Sequence, residues 1–304
     1  MDTMNVFGDQ NNLVGWYNAA AERHKSDVAV VMLTPGMLSH AGPMRLHVQL
    51  ARGLERMGMA SFRFDLSGIG ESLPSGASGC SLERASTEIR QALDWLETQY
   101  GWKKFALFGL CSGADDALAA SLHEERVVGL SLMDGCGFRT NRFYLNHFSQ
   151  KYVPKLLSFK KWQELLTNQF GEGSRAYRTM PMGQDVREFA DRETCQKQVQ
   201  ALLGRGTRLQ WIYTGGSIDY YSYANQFFEM FPMVRPNPLL SVHHYPRIDH
   251  LATMQQDREQ IQNVILDWCG NFIASHPRSE TSKAIVIPTN ASTFSGVSPM
   301  VPVV

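Results

Sequence analysis

The chain has 304 residues, of which 43% are hydrophobic and 19% charged, the balance of an ordinary globular enzyme. Its 29 basic and 29 acidic residues cancel, which argues against a nucleic-acid partner or a membrane surface. No apolar run reaches the roughly 20 residues of a membrane helix, and the first residues lack the pattern of a secretion signal. We therefore expect a cytoplasmic protein.

The first third of the chain alternates strand and helix signals. A β-branched apolar run at 28–34 (VAVVMLT) is typical of a strand covered on both faces. The loop that follows, at 35–43, is rich in glycine and proline. The other elements predicted here are a hairpin at 5–18, a helix at 44–57, a strand at 60–65 and a helix at 81–99.

The same alternation continues to the end of the predicted domain. The strand at 104–110 (KFALFGL) runs directly into a helix of small residues. The later elements are strands at 126–133, 208–214 and 239–245 and helices at 221–231 and 255–274. Repeated strand–helix–strand units predict an α/β protein with a mostly parallel central sheet and helices on both faces.

One stretch interrupts this alternation and divides the core. We assign residues 1–137 and 207–276 to the core, and the aromatic-rich residues 138–206 to a helical insertion. An insertion beside the strand ends can act as a lid over the active site. The alternative is an insertion with a purely structural role. Residues 277–304 are predicted to be a flexible tail, unless 284–287 (AIVI) adds an edge strand.

The segment 109–113 (GLCSG) has the pattern of a nucleophile elbow, because it joins a buried strand to a helix. Only small residues fit two places before and after the nucleophile in so tight a turn. The two glycines meet this need for Cys111, whereas Ser112 would have Leu110 before it. The helix N-terminus favours a thiolate at Cys111. The alternative is a buried structural cysteine.

A cysteine nucleophile needs a base, and the base needs an acid that orients it. In such folds the chain order is nucleophile, acid, histidine. Asp219 and His250 each follow a predicted strand in this order, so we predict a Cys111–His250–Asp219 triad. Asp134, which ends another strand, is the rival acid. A turn aspartate and a loop histidine are the alternative interpretations.

Acyl transfer also requires donors for the developing oxyanion. The backbone N–H of Ser112 is one candidate, because it follows the nucleophile. The N–H of Met37, in the loop after the strand at 28–34, is the second, unless that loop is only a glycine-rich turn. Asp65 is expected to organise its own loop by accepting backbone hydrogen bonds.

These residues resemble the α/β-hydrolase superfamily over about residues 5–275. More narrowly, the chain looks like the exosortase-system-associated hydrolases and their thioesterase-like relatives. The matching segments are GPMR at 42–45, LARGL at 50–54, FRFD at 62–65 with Gly68 and Gly70, and GLC at 109–111. The resemblance implies an α/β-hydrolase fold, acyl hydrolysis or transfer, no cofactor, and a triad at Cys111, Asp219 and His250.

The cysteine nucleophile favours thioesters as substrates. A thiolate that attacks an oxygen ester must expel an alkoxide, whereas on a thioester it exchanges one thiolate for another. We therefore predict an acyl-thioester hydrolase or acyltransferase, with the acyl group on coenzyme A or an acyl carrier protein. A carboxylesterase or lactone hydrolase is one alternative, and a non-catalytic ligand-binding protein is another. The five cysteines lack CxxC spacing, so neither a disulfide framework nor a zinc site is expected.

Overall fold

A computed structural model describes residues 2–20, 26–76, 79–146 and 190–273, and the structural statements below concern these residues. Eight strands form one sheet in the order β1-β2-β4-β3-β5-β6-β7-β8. Their bounds are β1 Asp2–Phe7, β2 Leu13–Asn18, β3 Val28–Leu33, β4 Ser61–Asp65, β5 Lys104–Leu110, β6 Val127–Met133, β7 Arg208–Thr214 and β8 Leu240–Tyr245.

The sheet is antiparallel at one edge and parallel elsewhere. β1 pairs antiparallel with β2, and β2 pairs antiparallel with β4, while the pairs from β4 through β3 to β8 are parallel. The predicted hairpin is confirmed, but it starts earlier, at Asp2. The carboxylate of Asp2 accepts a hydrogen bond from the buried guanidinium of Arg63 in β4, which fixes the first residues of the strand.

Helices cover both faces of this sheet. Their bounds are α1 Leu46–Met57, α2 Ser81–Tyr100, α3 Ser112–Leu122, α4 Arg192–Gly204, α5 Gln226–Met230 and α6 Gln255–Cys269. α1 and α6 contribute to one apolar cluster and the other four helices to the second. None of the helices in the described ranges has the length and apolar character needed to cross a membrane.

The central strands are mostly apolar because both of their faces are buried. Along β5, Phe105 and Leu107 face one apolar cluster, whereas Ala106, Phe108 and Leu110 face the other. Successive side chains of a strand point to opposite faces, so this strand is buried on both faces after its exposed first residue, Lys104. Full burial of each large side chain stabilises the fold by about 1.5–3 kcal/mol, and this strand leads directly to the elbow.

The helix predicted at 221–231 is much shorter in the structure, where α5 begins at Gln226. The side chain of Gln226 accepts a hydrogen bond from the backbone N–H of Ser222. The ring of Tyr221 stacks on Tyr213 of β7, with ring centroids 3.7 Å apart. These two contacts hold residues 221–225 in a loop, and apolar periodicity alone did not reveal them.

The predicted insertion at 138–206 is described only at 138–146 and 190–206. The second part contains α4, which buries Cys195, Val199 and Leu202 in the cluster it shares with β7. Residues 147–189 lie outside the described part of the chain, so the lid stays a prediction. The tail predicted at 277–304 also lies outside it.

Candidate active site

Cys111 occupies the turn between β5 and α3. Its backbone has φ 55° and ψ −123°, a strained conformation for a residue with a side chain. The N–H of Cys111 donates to the carbonyl of Met133 at the end of β6, with a distance of 2.8 Å. The turn is therefore fixed against the neighbouring strand, and Cys111 lies at the N-terminus of an 11-residue helix.

Close backbone packing explains the two glycines of the elbow. A Cβ atom added to Gly109 would lie 2.1 Å from the carbonyl oxygen of Gly113. One added to Gly113 would lie 2.8 Å from the carbonyl oxygens of both Leu33 and Thr34, at the end of β3. Any larger residue at either position would force these backbones apart. Both positions therefore need glycine on steric grounds.

His250 follows β8 and hydrogen-bonds Asp134, not Asp219. Its Nδ1 lies 2.8 Å from Oδ2 of Asp134. The Asp134 side chain is fully buried, whereas that of His250 is 35% exposed. Cys111 lies beside the same imidazole and contributes to the raised pKa of His250. The structure thus brings Cys111, His250 and Asp134 together in the order that the chemistry of a triad requires.

Hydrogen bonds from the neighbouring strand, β7, hold the carboxylate of Asp134. Asp134 is the first residue after β6 and has φ 48°. The backbone N–H and the hydroxyl of Thr214, at the end of β7, donate to its two carboxylate oxygens over 2.7 and 2.5 Å. The hydroxyl of Tyr220 donates to its carbonyl oxygen over 2.9 Å. Sequence reasoning identified neither of these supporting residues.

The predicted pairing of Asp219 with His250 does not occur in the structure. Asp219 is exposed, and its backbone carbonyl accepts a hydrogen bond from Arg139. A short 3₁₀ turn over 215–217 separates it from β7, and the histidine packs at the start of that turn. A Cβ added to Gly216 would lie 2.3 Å from the Cβ of His250. Asp219 therefore comes too late in the loop, and Asp134 takes the place expected for it.

The imidazole of His250 retains its proton at neutral pH. The hydrogen bond to Asp134, and next the interaction with Cys111, raise its pKa from 6.5 to about 10, although burial opposes this. An imidazolium beside Cys111 stabilises a thiolate. Two buried cysteines lie in surroundings that disfavour the thiolate. The neighbouring Cys195 sulfur, 3.4 Å away, and burial raise the pKa of Cys136, and burial raises the pKa of Cys269 to about 12.

We expect iodoacetamide to alkylate Cys111 faster than the other four cysteines at pH 7. In Asp134→Asn the main cause of the raised His250 pKa is lost, so this pKa should fall toward 6.5 and the imidazolium should disappear above that pH. The rate of alkylation of Cys111 between pH 7 and 9 should then fall toward the rate of a simple thiol. Peptide mapping by mass spectrometry measures each site, and Asp219→Asn is the matched control. Equal rates at all five cysteines would contradict the prediction.

The loop after β3 lies directly beside the elbow. Leu38 N–H donates to the carbonyl of Pro35 at 3.0 Å, which closes a turn around Gly36 and Met37. Met37 is 83% exposed. The N–H of Gly36 donates to Oγ of Ser112 at 2.6 Å. Both candidate oxyanion donors, Met37 and Ser112, are thus on adjoining segments, and their role remains a proposal.

A second histidine–aspartate pair anchors the far end of this loop. Nδ1 of His40 lies 2.9 Å from the carboxylate of Asp65, which also accepts the backbone N–H groups of His40 and Glu71. The ring of His40 stacks on Trp16 with centroids 3.4 Å apart. Asp65 therefore organises its surroundings through backbone hydrogen bonds, as the sequence predicts.

A cavity of about 470 Å³ lies between α2 and α3. Its lining includes Asp115, one helical turn after Cys111, and Cys136, two residues after Asp134, together with the apolar side chains of Leu118 and Leu122. Among the described residues, no group of three His, Cys, Asp or Glu side chains is arranged to hold a metal ion.

Solved structures share this architecture at low sequence identity. An esterase of Pyrococcus furiosus superposes with a TM-score of 0.57 at 15% identity, over 90% of this chain and 91% of its own. A serine hydrolase of Xanthomonas campestris described as lacking a lid gives 0.54 at 13%, over 91% and 97%. An α/β hydrolase of a Penicillium species gives 0.54 at 17%, over 90% and 99%.

No protein-family model matches the sequence, and no curated protein matches it either. At identities this low, the structural likeness concerns the fold. The chain has the α/β-hydrolase fold, which confirms the predicted fold class.

Proposed function

We propose that the chain is an acyl-thioester hydrolase or acyltransferase that works through an acyl-cysteine at Cys111. The observation that carries this proposal is the contact series from Cys111 through His250 to the buried carboxylate of Asp134. A nucleophile beside a base that is hydrogen-bonded to an orienting acid is the arrangement used in covalent catalysis. The fold shared with esterases is consistent with it.

In the first half-reaction, the Cys111 thiolate attacks the acyl carbonyl carbon and forms a C–S bond, while the carbonyl π electrons move to oxygen. The N–H groups of Ser112 and Met37 are our candidates to stabilise this oxyanion. Collapse of the intermediate breaks the bond to the carrier sulfur. The imidazolium of His250 donates its proton to the departing thiolate, and the acyl group stays on Cys111.

In the second half-reaction, neutral His250 removes a proton from water or from another acceptor, which attacks the acyl-cysteine. Collapse of this second intermediate breaks the C–S bond and releases the acid or the transferred product. It restores the Cys111 thiolate beside the His250 imidazolium, which keeps the proton taken from the acceptor. Asp134 holds the imidazole at Nδ1 throughout. The surrounding bonds from Thr214 keep the carboxylate in place.

The choice of thioesters over oxygen esters follows from the sulfur of Cys111. An ordinary thiol has a pKa of about 8.5, so the carrier thiolate and the enzyme thiolate are leaving groups of similar quality. An alkoxide is far more basic, and the intermediate formed from an oxygen ester therefore tends to return to the substrate. Carboxylesterase activity is the second candidate, because solved structures with this fold include esterases.

The proposal predicts an acyl adduct on Cys111. We expect rapid acid quenching during turnover of acetyl-, octanoyl- and benzoyl-coenzyme A to trap a protein whose mass is increased by one acyl group. Peptide mapping should place that group on Cys111. The increase should be absent in Cys111→Ala and should persist in Cys80→Ala, which removes a cysteine at the start of α2. An unmodified wild-type protein with every thioester, or an adduct on another cysteine, would contradict the proposal.

A further inference from the structure

One side chain joins the loop after β3 to the nucleophile elbow. The hydroxyl oxygen of Ser112 accepts the backbone N–H of Gly36 at 2.6 Å. Ser112 is also the first residue of α3, and its own N–H is one candidate oxyanion donor. The other candidate, Met37, immediately follows Gly36. Ser112 thus lies in the segment that carries one candidate oxyanion donor, and its side chain binds the segment that carries the other.

Besides this bond, the described hydrogen bonds at this point include the one from Leu38 N–H to the Pro35 carbonyl, which lies within the turn itself and does not tie it to the rest of the fold. Gly36 is exposed and has φ 54°, and no described atom lies within 4 Å of a Cβ built on it. Side-chain packing therefore does not position the turn at Gly36. The loop is anchored instead at its far end, where Asp65 binds the backbone and ring of His40. The hydrogen bond to Ser112 is the matching anchor at its near end.

We infer that the hydroxyl of Ser112 is a positioning group that sets the separation of the two oxyanion donors. This inference rests on the proposed function, because an oxyanion forms only if Cys111 attacks a carbonyl. Oxyanion donors are effective when they are already aimed at the developing charge. Without the hydroxyl, the Gly36 N–H would bond to water, and the Met37 N–H would lose its fixed distance from the elbow.

The test compares Ser112→Ala with Ser112→Thr. Alanine keeps the backbone N–H but removes the acceptor, so kcat for acyl-coenzyme A should fall about 10- to 100-fold, the range expected for a misplaced catalytic group. KM should stay within about twofold, because the lost interaction acts in the transition state. Threonine retains a hydroxyl at the same atom and should restore most of the lost kcat.

A second measurement separates positioning from general damage to the structure. A reversible aldehyde inhibitor forms a thiohemiacetal: the Cys111 thiolate bonds to the aldehyde carbon, the π electrons move to oxygen, and His250 keeps its proton. The resulting oxyanion occupies the same donors. Its inhibition constant should therefore rise in Ser112→Ala by about the factor lost in kcat, while alkylation of Cys111 by iodoacetamide stays at the wild-type rate.

Three results would overturn the inference. They are wild-type kcat and aldehyde affinity in Ser112→Ala, equal losses in the alanine and threonine variants, or a parallel loss of alkylation rate and melting temperature, which indicates a structural role. Failure of the proposed function is recognised separately, because wild-type protein would then form no acyl-cysteine. Aldehyde binding would still report on Ser112 in that case.

Discussion

Asp134→Asn is expected to lower thioester turnover on the order of 10⁴-fold, while Asp219→Asn remains close to wild type. The reason is the 2.8 Å contact between Asp134 and Nδ1 of His250. Asparagine can present its amide N–H to that nitrogen, which stabilises the wrong tautomer of the imidazole. The protonated imidazole also loses the charge that stabilises it, so the proton needed by the leaving thiolate is no longer held at neutral pH.

Steady-state kcat with one acyl-coenzyme A measures this effect in both variants. Asp219 is the matched control because it is exposed and follows β7 as Asp134 follows β6, but its carboxylate is not the one bonded to His250. Circular dichroism and melting temperature should confirm that Asp134→Asn still folds, since the backbone N–H of Thr214 can keep its bond to the amide oxygen. Near-normal activity in Asp134→Asn together with a 10⁴-fold loss in Asp219→Asn would reverse the assignment.

Cys111→Ser is expected to lose far more activity on a thioester than on the matching oxygen ester. Serine is a much poorer nucleophile unless a base removes its proton, and His250 holds its own proton because Asp134 raises its pKa. On the oxygen ester, the serine alkoxide and the substrate alkoxide are similar leaving groups, which offsets part of this loss. The ratio of ester to thioester activity should rise at least about tenfold.

Cys111→Ala provides the baseline for this comparison, since removal of a nucleophile can cost on the order of 10⁶ in turnover. Added amines or alcohols should also divert the wild-type acyl-cysteine to amide or ester products at the expense of free acid. If Cys111→Ser equals wild type on thioesters, and added acceptors leave the products unchanged, the enzyme is better described as an esterase.

The elbow was predictable from sequence because its constraints are local. A buried strand, two glycines that no larger residue can replace, and a helix start all lie within 104–122. The acid was not predictable in the same way. Asp134 and Asp219 both follow parallel strands. Burial, distance from the strand end and the two bonds from Thr214 distinguish Asp134, and all three depend on the folded structure.

The alternation of strands and helices likewise predicted the mostly parallel sheet, because strands that are apolar on both faces need helices packed on both sides. The loop at 221–225 was missed because side-chain contacts of Tyr221 and Gln226, not apolar periodicity, decide its path. The hydroxyl of Ser112 was considered only as a rival nucleophile. Its bond to Gly36 joins residues 76 positions apart, a distance over which local patterns carry no information.

The stacking of Trp16 on His40 gives the protein an internal optical reporter. Trp16 belongs to β2 in the rigid sheet, whereas His40 belongs to the loop that carries Met37. Because the two rings are 3.4 Å apart, any displacement of the loop changes the surroundings of the indole. The difference in emission between wild type and Trp16→Phe therefore isolates one fluorophore among six, and it follows loop movement during turnover without an attached label.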